Sequence, residues 1–447
     1  MRNRDRFARY AAIGAAAARI YLGYKAITFG ERYLGLKDAA ARRLRHHQRS
    51  ARLLYRTAVR LQGPMIKLAQ GIGSRPDLVP IEYVEVLSRL QDQVPPRPFR
   101  VIRRVIEDEL GRTEKVFMEL QEEPLAAASW AQVHKARLKD GRWVAVKVQY
   151  PGVSELLDID LHSIRFLLGL LEKLERGLTF APIIDELAEY MPLELDFLHE
   201  AENANRIAAD FERNERVVVP RVIWELSTRR VLVLEYIEGA RIGDVAALKR
   251  DGIDQQALAQ LLTETYCEQM LVHGLFNADP HPGNFLVQPG PKLVLLDFGL
   301  CRSLSEAFRK DYVRLTRAML LQNPVEIVAA FGRLGVKTRT ADPASLLLMR
   351  EAFVEVTRPG KAYADADLVV DAQIKLARAF RSNPLVQFPR ELVLIMRAVG
   401  LLSGIGKLLE SEVDWIGTTL RYIDGPVEAE GPVLSHRLGG GGQVKGP

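Results

Sequence analysis

The pattern of apolar and polar positions changes character along the chain. From about Leu61 to Leu110 it predicts helices that end near prolines, because proline lacks an amide donor and restricts the residue before it. Beyond this stretch, short alternating or β-branched runs predict strands. The prolines lie at Pro64, Pro76, Pro95 and Pro96, and the strands are predicted at Val116–Leu120, Ala131–Leu138, Trp143–Val148, Val217–Trp224 and Arg230–Tyr236.

The spacing of these runs predicts how they are connected. Lys139-Asp140-Gly141 is typical of a hairpin turn, and a long helical insert is expected over Val153–Arg213. After Gly239 the pattern is mainly helical, interrupted at Phe285–Val287 and Leu293–Leu296. A small lobe containing a sheet, followed by a larger helical lobe, indicates an α+β architecture used for nucleotide-phosphoryl chemistry, although the pattern alone does not establish it.

Composition narrows the classes of function. The chain has 447 residues, enough for two or three packed units. Its two cysteines, Cys267 and Cys301, form no CxxC pair, which argues against a disulfide framework or a structural zinc site and favours a reducing compartment. We expect no secretory signal, and no transmembrane helix in either of the two most apolar stretches, which arginine or lysine interrupts.

The first sixty residues are basic. Arginines occur at Arg2, Arg4, Arg6, Arg9 and Arg19, and Arg42–His47 adds a second cluster. Two interpretations stay open: a basic amphipathic helix on an anionic membrane, or a solvated helical extension. The net charge of +6 fits phosphate-bearing or membrane-surface partners. No nucleic-acid-binding pattern accompanies it. The expected location is cytoplasmic and peripheral, on the inner face of a membrane.

One string carries the strongest chemical signal. Asp279 is followed five residues later by Asn284, in a loop with two prolines and a glycine. This matches the spacing of a kinase catalytic loop, in which the aspartate positions the nucleophile and the asparagine holds a metal ion. Asp297 then ends an apolar strand just before Gly299, a position suited to present a carboxylate to Mg²⁺.

Upstream residues supply the phosphate contacts that this chemistry needs. Lys147 ends an alternating strand after a hairpin, where its ammonium can reach nucleotide phosphates. A buried lysine requires a partner, and Glu200 on the following helical insert is the candidate. Instead of a glycine-rich turn, the loop before the next strand contains Ala126, Ala127, Ala128 and Ser129, which is expected to be stiffer. Backbone groups near Glu235 and Ile237 are expected to meet the adenine.

Together with Lys67-Leu68-Ala69-Gln70 and Glu194-Leu195-Asp196, these motifs make the chain resemble the UbiB/AarF atypical kinase family from about Leu61 to Leu304. The two strings match the family's KxGQ and ExD motifs. The resemblance implies ATP and Mg²⁺ binding, helices bearing Lys67 and Gln70 folded over the active site, and a contact between Lys67 and Glu194. It also implies a role in isoprenoid-quinone biosynthesis or lipid handling.

The chain departs from the family pattern at several points. Ala69 replaces the glycine of KxGQ, Asn277 stands where many relatives have histidine, and no C-terminal pair of transmembrane helices is expected. Neither substitution touches the residues expected to transfer phosphate. The predicted segments are a basic extension (1–60), a helical lid (61–115), a kinase-like N-lobe with an insert (116–238), a helical C-lobe (239–435) and a flexible tail (436–447).

Three functions remain open at this point. The first is an atypical kinase or ATPase in which Lys147, Glu200 and Asp279 carry the catalysis. The second is a small-molecule phosphotransferase of the aminoglycoside type, against which the lid residue Lys67 argues. The third is a nucleotide-gated scaffold that binds lipids or biosynthetic enzymes without turnover, which the stiff alanine loop and the lid favour. The phosphoryl acceptor and the oligomeric state are not determined by the sequence.

Overall fold

The computed structural model describes residues 3–35, 38–73, 79–87, 90, 96–175, 181–340, 385–387, 389–411, 413 and 415–423. The chain forms two compact units. The first comprises Met1–Ile253 and Asn277–Arg302, and the second comprises Asp254–Phe276 and Ser303–Pro447. The five segments of the sequence analysis stay a prediction, and the predicted tail lies outside the described residues.

Among the described residues, six helices precede the first strand, and those after Leu61 lie in the stretch where helices ending near prolines were predicted. The break between the second and third occurs where Gln62 and Gly63 take positive φ values of 53° and 58°, and Pro64 then occupies the first helical position, where a missing amide costs nothing. The helices are α1 (Asn3–Leu34), α2 (Ala39–Leu61), α3 (Pro64–Gly73), α4 (Ile81–Leu87), α5 (Phe99–Leu110) and α6 (Thr113–Val116).

Sheet and helical insert then alternate within the first unit. Three strands, three helices and two further strands follow one another along the chain. They are β1 (Phe117–Ala127), β2 (Ala131–Leu138), β3 (Trp143–Gln149), α7 (Val153–Leu174), α8 (Ala181–Glu194), α9 (Phe197–Asp210), β4 (Val217–Val218) and β5 (Val231–Glu235). The helical insert predicted over Val153–Arg213 is therefore three consecutive helices.

An antiparallel sheet of order β1-β2-β3-β5 forms the centre of this part of the fold. The predicted hairpin between β2 and β3 is confirmed, with Gly141 at φ 90°. Along β3, Val144, Val146 and Val148 are buried in the core, while Lys147 lies on the other face. The alternation of a pleated strand thus places the lysine opposite the core side chains.

Two strand predictions need correction. The first strand continues past Leu120 to Ala127, and its register shifts on both sides of Pro124; an edge strand tolerates proline because its outer amides need no partner. The segment predicted as a strand over Val217–Trp224 is a strand only at β4, because Pro220 cannot donate to a ladder, and residues 224–226 form a 3₁₀ turn.

The basic start also differs from a solvated extension. Arg9, on α1, is buried, and its guanidinium makes two hydrogen bonds to the fully buried Asp160 of α7, at 2.5 and 2.6 Å. It also donates to the backbone oxygens of Leu61 and Gln62, at the end of α2. This face of the first helix is therefore part of the packed fold, and the prediction of a solvated extension is wrong for it.

The remaining elements include a second small sheet. Across the sheet its strands are β4, β9 (Lys292–Leu295), β8 (Phe285–Gln288) and β6 (Ala240–Arg241), all within the first unit. The β8–β9 hairpin confirms the predicted strands on either side of residues 289–291. In chain order the elements are β6 (Ala240–Arg241), α10 (Val245–Arg250), α11 (Gln255–Cys267), β7 (Leu275–Asn277), β8 (Phe285–Gln288), β9 (Lys292–Leu295), β10 (Cys301–Ser303), α12 (Glu306–Leu320), α13 (Pro324–Arg333), β11 (Lys337–Thr338), β12 (Leu385–Gln387), α14 (Arg390–Leu408) and α15 (Trp415–Ile423).

Within the stretch that was predicted to be mainly helical after Gly239, α11 continues into a π-helical turn over Glu268–His273. Gly274 ends it in the left-handed region, at φ 71°. Among the described residues, no helix is both long and apolar enough to cross a bilayer.

Candidate functional site

The centre of the site is a buried ion pair between β3 and α9. The Lys147 ammonium lies 2.6 and 2.8 Å from the two carboxylate oxygens of Glu200. Glu200 is one turn into α9, which begins at the cap residue Asp196, whose carboxylate accepts the Leu198 amide at 3.1 Å. Only 2% of the Glu200 side chain is exposed, so the pair has a fixed geometry and each charge depends on the other.

Asp297 adds a second carboxylate to the lysine. One of its oxygens lies 3.9 Å from the Lys147 ammonium, and the other accepts the Gly299 amide at 2.9 Å. Burial opposes the charge on Lys147, but Asp297 and Glu200 outweigh it and raise the pKa of that ammonium. Partial desolvation likewise opposes charge on Asp297, yet Lys147 and the Gly299 amide lower its pKa. Lys147 is therefore cationic and Asp297 anionic.

The predicted loop holds Asp279 and Asn284 close together. The Asn284 side-chain amide donates to the backbone oxygen of Asp279 at 3.2 Å. This bond leaves the amide oxygen of Asn284 available for a cation. Within this loop, Pro282–Asn284 form a single 3₁₀ turn. His281 caps the start of the turn, because its Nδ1 accepts a hydrogen bond from the Gly283 backbone amide at 3.1 Å.

Asn277 ties this loop to the strand that presents Asp297. Its side-chain amide donates to the backbone oxygen of Asp297 at 2.8 Å, and its Oδ1 accepts the backbone amide of Asp279, also at 2.8 Å. In the sequence, Asn277 stands out only as a departure from the family pattern. Its role in fixing both aspartates was missed, because nothing local in the sequence shows which strand faces the loop.

A cation at this site would be held by few protein groups. Asp297 supplies a carboxylate whose side chain is 41% exposed, and Asn284 supplies an amide oxygen. Across the described part of the chain there is no cluster of three or more His, Cys, Asp or Glu side chains suited to a metal ion. One carboxylate and one amide fit Mg²⁺, which usually keeps several waters and binds substrate phosphates as well.

Lys67 of α3 reaches the same region. Its ammonium lies 2.8 Å from a Glu194 carboxylate oxygen and 5.6 Å from the centre of the Trp130 ring. Burial opposes its charge, but Glu194, Asp279 and Asp297 together raise the pKa of Lys67. The contact between Lys67 and Glu194 that the family resemblance implies is thus present. The Lys67 ammonium is also attracted electrostatically by the carboxylates of Asp279 and Asp297.

The two other residues expected near the lid make different contacts. Gln70 donates to the backbone oxygen of Leu90 at 2.9 Å. Asp196 caps α9 and lies 3.5 Å from the Arg229 guanidinium. Ala69, which stands at the glycine position of the motif, is buried against Tyr83 and its neighbours on α4. The structure gives all three residues structural contacts, and the lid or regulatory role expected for Gln70 and Asp196 stays a prediction.

The alanine-rich loop is shorter than expected. Ala126 and Ala127 belong to β1, where they pair with Val133 and Gln132. Only the segment from Ala128 to Trp130 forms the turn, closed by the Ala128 amide donating to Ala131 at 2.7 Å. Ser129 is buried in it. Because Ala126 and Ala127 are paired with β2, fewer backbone amides lie outside the hydrogen-bond ladder of the sheet than in a loop of four residues.

The segment proposed to meet a nucleotide base follows β5 directly. Glu235, the last strand residue, is exposed, and Ile237 is half-buried. Between them, the Tyr236 ring lies 4.0 Å from the Lys135 ammonium, and the Tyr236 amide donates to Trp143 at 3.1 Å. Gly239 follows where a Cβ would meet the Val287 oxygen at 2.9 Å, so only glycine fits this close approach.

Comparison with known proteins shows which family this chain resembles. A family model described as the ABC1 atypical kinase-like domain matches residues 89–331. The AarF domain-containing protein kinase 1 of Xenopus tropicalis is 37% identical over 367 residues, covering 80% of this chain and 70% of that protein. The protein ACTIVITY OF BC1 COMPLEX KINASE 8, chloroplastic, of Arabidopsis thaliana is 34% identical, and the match covers 81% of this chain and 52% of that protein.

One solved structure is also similar to this chain. The complex of Rv3197 and erythromycin from Mycobacterium tuberculosis matches with a TM-score of 0.60 and 25% identity, over 87% of this chain and 98% of that one. Its similarity, together with the sheet-containing N-lobe, confirms the predicted protein-kinase-like fold. The chain therefore belongs to the ABC1/AarF family of atypical kinase-like proteins.

Proposed function

We propose that this protein is an ATP-binding, Mg²⁺-dependent atypical kinase or ATPase. The observation that carries the proposal is the Lys147–Glu200 ion pair, 2.6 Å long, with Asp297 3.9 Å from the same ammonium. A cation fixed between two carboxylates on rigid elements suits the triphosphate of a nucleotide, since phosphoryl transfer depends mainly on positioning and on neutralising charge.

Each residue of the site has a role in this proposal. Lys147, oriented by Glu200, would bind the α- and β-phosphates. Asp297 and Asn284 would hold Mg²⁺, which when bound neutralises charge on the phosphate oxygens. Asp279 would orient the attacking hydroxyl or water, and Asn277 holds its backbone in place through the 2.8 Å bond. The end of β1 at Ala126 and Ala127, with Ala128 and Ser129 of the turn after it, would face the phosphates, and the backbone from Glu235 to Ile237 would meet the adenine.

The position of Lys67 favours hydrolysis or gating over transfer to a bulky acceptor. Its ammonium is paired with Glu194 and electrostatically attracted to Asp279, the residue that would orient the nucleophile. An acceptor approaching Asp279 competes with this charge. The same observation supports the second candidate, a nucleotide-gated scaffold without turnover, and it argues against an open small-molecule phosphotransferase.

A location on a membrane and a role in isoprenoid-quinone biosynthesis or lipid handling complete the proposal. The family resemblance supports the pathway, and the basic first helices support peripheral binding to an anionic surface. A quinone precursor or a lipid is the proposed acceptor or partner.

ATP hydrolysis by purified protein tests the catalytic part. With Mg-ATP and anionic vesicles, Asp279→Asn should lower turnover by about 10²-fold or more, the usual contribution of a positioned base. Asp158→Asn, at an exposed position on α7, is the matched control and should leave turnover unchanged. Nucleotide binding, followed by fluorescence, should be retained in Asp279→Asn and lost in Lys147→Met.

The two candidates separate on these measurements. If wild type releases phosphate no faster than Asp279→Asn while both bind ATP, the protein is a scaffold. If Lys147→Met binds ATP as tightly as wild type, the nucleotide site lies elsewhere and the proposal fails.

A further inference from the structure

The first helix exposes an apolar stripe on the face opposite its packed side. Phe7, Ala11, Ala18, Leu22, Phe29 and Tyr33 are all exposed. Their spacing alternates four and seven residues, which keeps them on one face of an α-helix. The large side chains among them are strongly exposed, at 74% for Phe7, 63% for Leu22, 56% for Phe29 and 64% for Tyr33. The stripe is about 39 Å long at 1.5 Å per residue, and Lys25, which is paired with Glu175, lies on the same face between Leu22 and Phe29.

This stripe is not part of the protein core. The opposite face of α1 carries Arg9, Ile13 and Ala16, which are buried, and holds α7 and α2. A helix on the surface of a globular protein usually buries its apolar face and exposes polar side chains. Here the structure buries one face and leaves the other exposed, so the outer face of α1 is suited to a second apolar environment.

A second stripe, of opposite chemistry, runs along the neighbouring helix. Arg42, Arg45, Arg49, Arg52, Arg56 and Arg60 are all exposed on α2, at intervals of three and four residues. The helix contains no acidic residue. Its other side packs through Ala51 and Ala58 against α3 and α4, so the arginines line its outer face.

Several other arginines of the first unit are paired with carboxylates, unlike these six. Arg9, Arg43, Arg103 and Arg230 each form an ion pair with a carboxylate of the chain. Within the described ranges, none of the six in the stripe forms one. An unpaired row of guanidinium groups is an electrostatic surface for an external polyanion, and planar guanidinium groups suit phosphate oxygens in particular.

We propose that the outer surface of the α1–α2 hairpin is a membrane-docking surface. The apolar stripe of α1 inserts at the level of the acyl chains, and the arginine stripe of α2 binds the phosphates of anionic lipids. The two stripes together favour a membrane over other partners. A second copy of the chain would bring one arginine stripe against another, and a nucleic acid would leave the apolar stripe of α1 exposed to water. The inference rests on the proposed membrane location and is independent of phosphoryl transfer.

The structure also determines how the surface must be tested. Deleting the first fifty residues would remove the buried Arg9 and the whole of α1, which packs on α7 and α2, so loss of binding would not distinguish docking from unfolding. Substitutions confined to the two exposed stripes leave the packed faces intact. A first variant carries Arg45→Gln, Arg49→Gln, Arg52→Gln and Arg56→Gln, and a second carries Phe7→Ser, Leu22→Ser and Phe29→Ser.

Flotation of the full chain with vesicles is the measurement. Vesicles of phosphatidylcholine with phosphatidylglycerol are compared with phosphatidylcholine alone. Each arginine at an anionic surface strengthens binding by about fivefold, so the four-arginine variant should bind anionic vesicles about two to three orders of magnitude more weakly. The apolar variant should lose binding to a similar degree. A control with Arg100→Gln, Arg104→Gln, Arg213→Gln and Arg221→Gln removes the same charge from exposed positions elsewhere and should bind as wild type does.

The outcomes are distinct. Absence of wild-type flotation, or equal weakening by the stripe and control variants, overturns the proposal. So does a dimer, detected by light scattering, that the apolar variant converts to a monomer. Unchanged thermal denaturation of all variants shows that they are folded. Asp279→Asn should float like wild type, so a failed hydrolysis experiment leaves this result intact.

Discussion

Replacing Arg9 with methionine should destabilise the first unit strongly, because it leaves a carboxylate without its partner in the interior. Asp160 is fully buried, and its two oxygens accept hydrogen bonds of 2.5 and 2.6 Å from the Arg9 guanidinium. Removing one partner of such a pair costs about 3–5 kcal/mol. Arg9 also donates to Leu61 and Gln62, so we expect a loss at the upper end of that range.

The double variant tests whether the buried charge is the cause. Arg9→Met combined with Asp160→Leu removes both charges and should recover most of the stability, since apolar replacements of a buried pair are often close to neutral. A loss of 3 kcal/mol lowers a thermal transition by about 6–12 °C in units of 150–250 residues. We expect Arg9→Met and Asp160→Leu each to show a drop of that size or more, and the double variant to show less than either.

The pH dependence follows from the carboxyl group. Burial raises the pKa of Asp160, and Arg9 opposes this increase. Without Arg9, the pKa of Asp160 in the folded state rises further above its unfolded value. The folded state of Arg9→Met is then favoured at low pH, where Asp160 is protonated, and it loses this stability as the pH rises through the folded-state pKa of Asp160. The difference in melting temperature between wild type and Arg9→Met should therefore shrink as the pH is lowered from 8 to 5.

Circular dichroism on the full chain at several pH values is the assay, with Arg19→Met, an exposed arginine of the same helix, as the control. The reasoning is refuted if Arg9→Met melts within 1 °C of wild type, or if the effects of the two single variants simply add in the double variant. A loss that stays constant from pH 8 to 5 would show that the hydrogen bonds to α2, rather than the charge of Asp160, dominate.

Three further changes test individual contacts. Asn277→Leu removes the hydrogen bonds to the Asp297 oxygen and from the Asp279 amide, which should cost about 1–3 kcal/mol in thermal denaturation and lower ATP turnover more than ATP affinity; equal turnover would contradict its positioning role. Gly239→Ala places a Cβ 2.9 Å from the Val287 oxygen and should destabilise by about 1–3 kcal/mol, whereas an unchanged melting temperature would refute the close approach. Lys67→Met should destabilise through the stranded Glu194 carboxylate, and Lys67→Met with Glu194→Gln should recover part of the loss in the same melting assay.

Local pattern was sufficient for the parts of the site that lie on single elements. Alternation along β3 placed Lys147 opposite the core valines, since successive side chains of a strand point to opposite faces. The spacing from Asp279 to Asn284 predicted one loop, and the structure closes it with a hydrogen bond. Where the local signal was weaker, the boundaries failed: β1 runs on to Ala127, and the strand expected up to Trp224 ends at Val218.

What the sequence by itself determined is the family, the order of the main elements and the set of candidate site residues. Only the tertiary structure decided which side chains meet. Arg9 and Asp160 are 151 positions apart, and Asn277 joins a loop to a strand twenty residues away. The reason is physical: periodicity records which face of an element is buried, whereas the partner of a buried charge depends on how separate elements pack. The same limit hid the exposed stripe of α1, because only packing shows which apolar face is left uncovered.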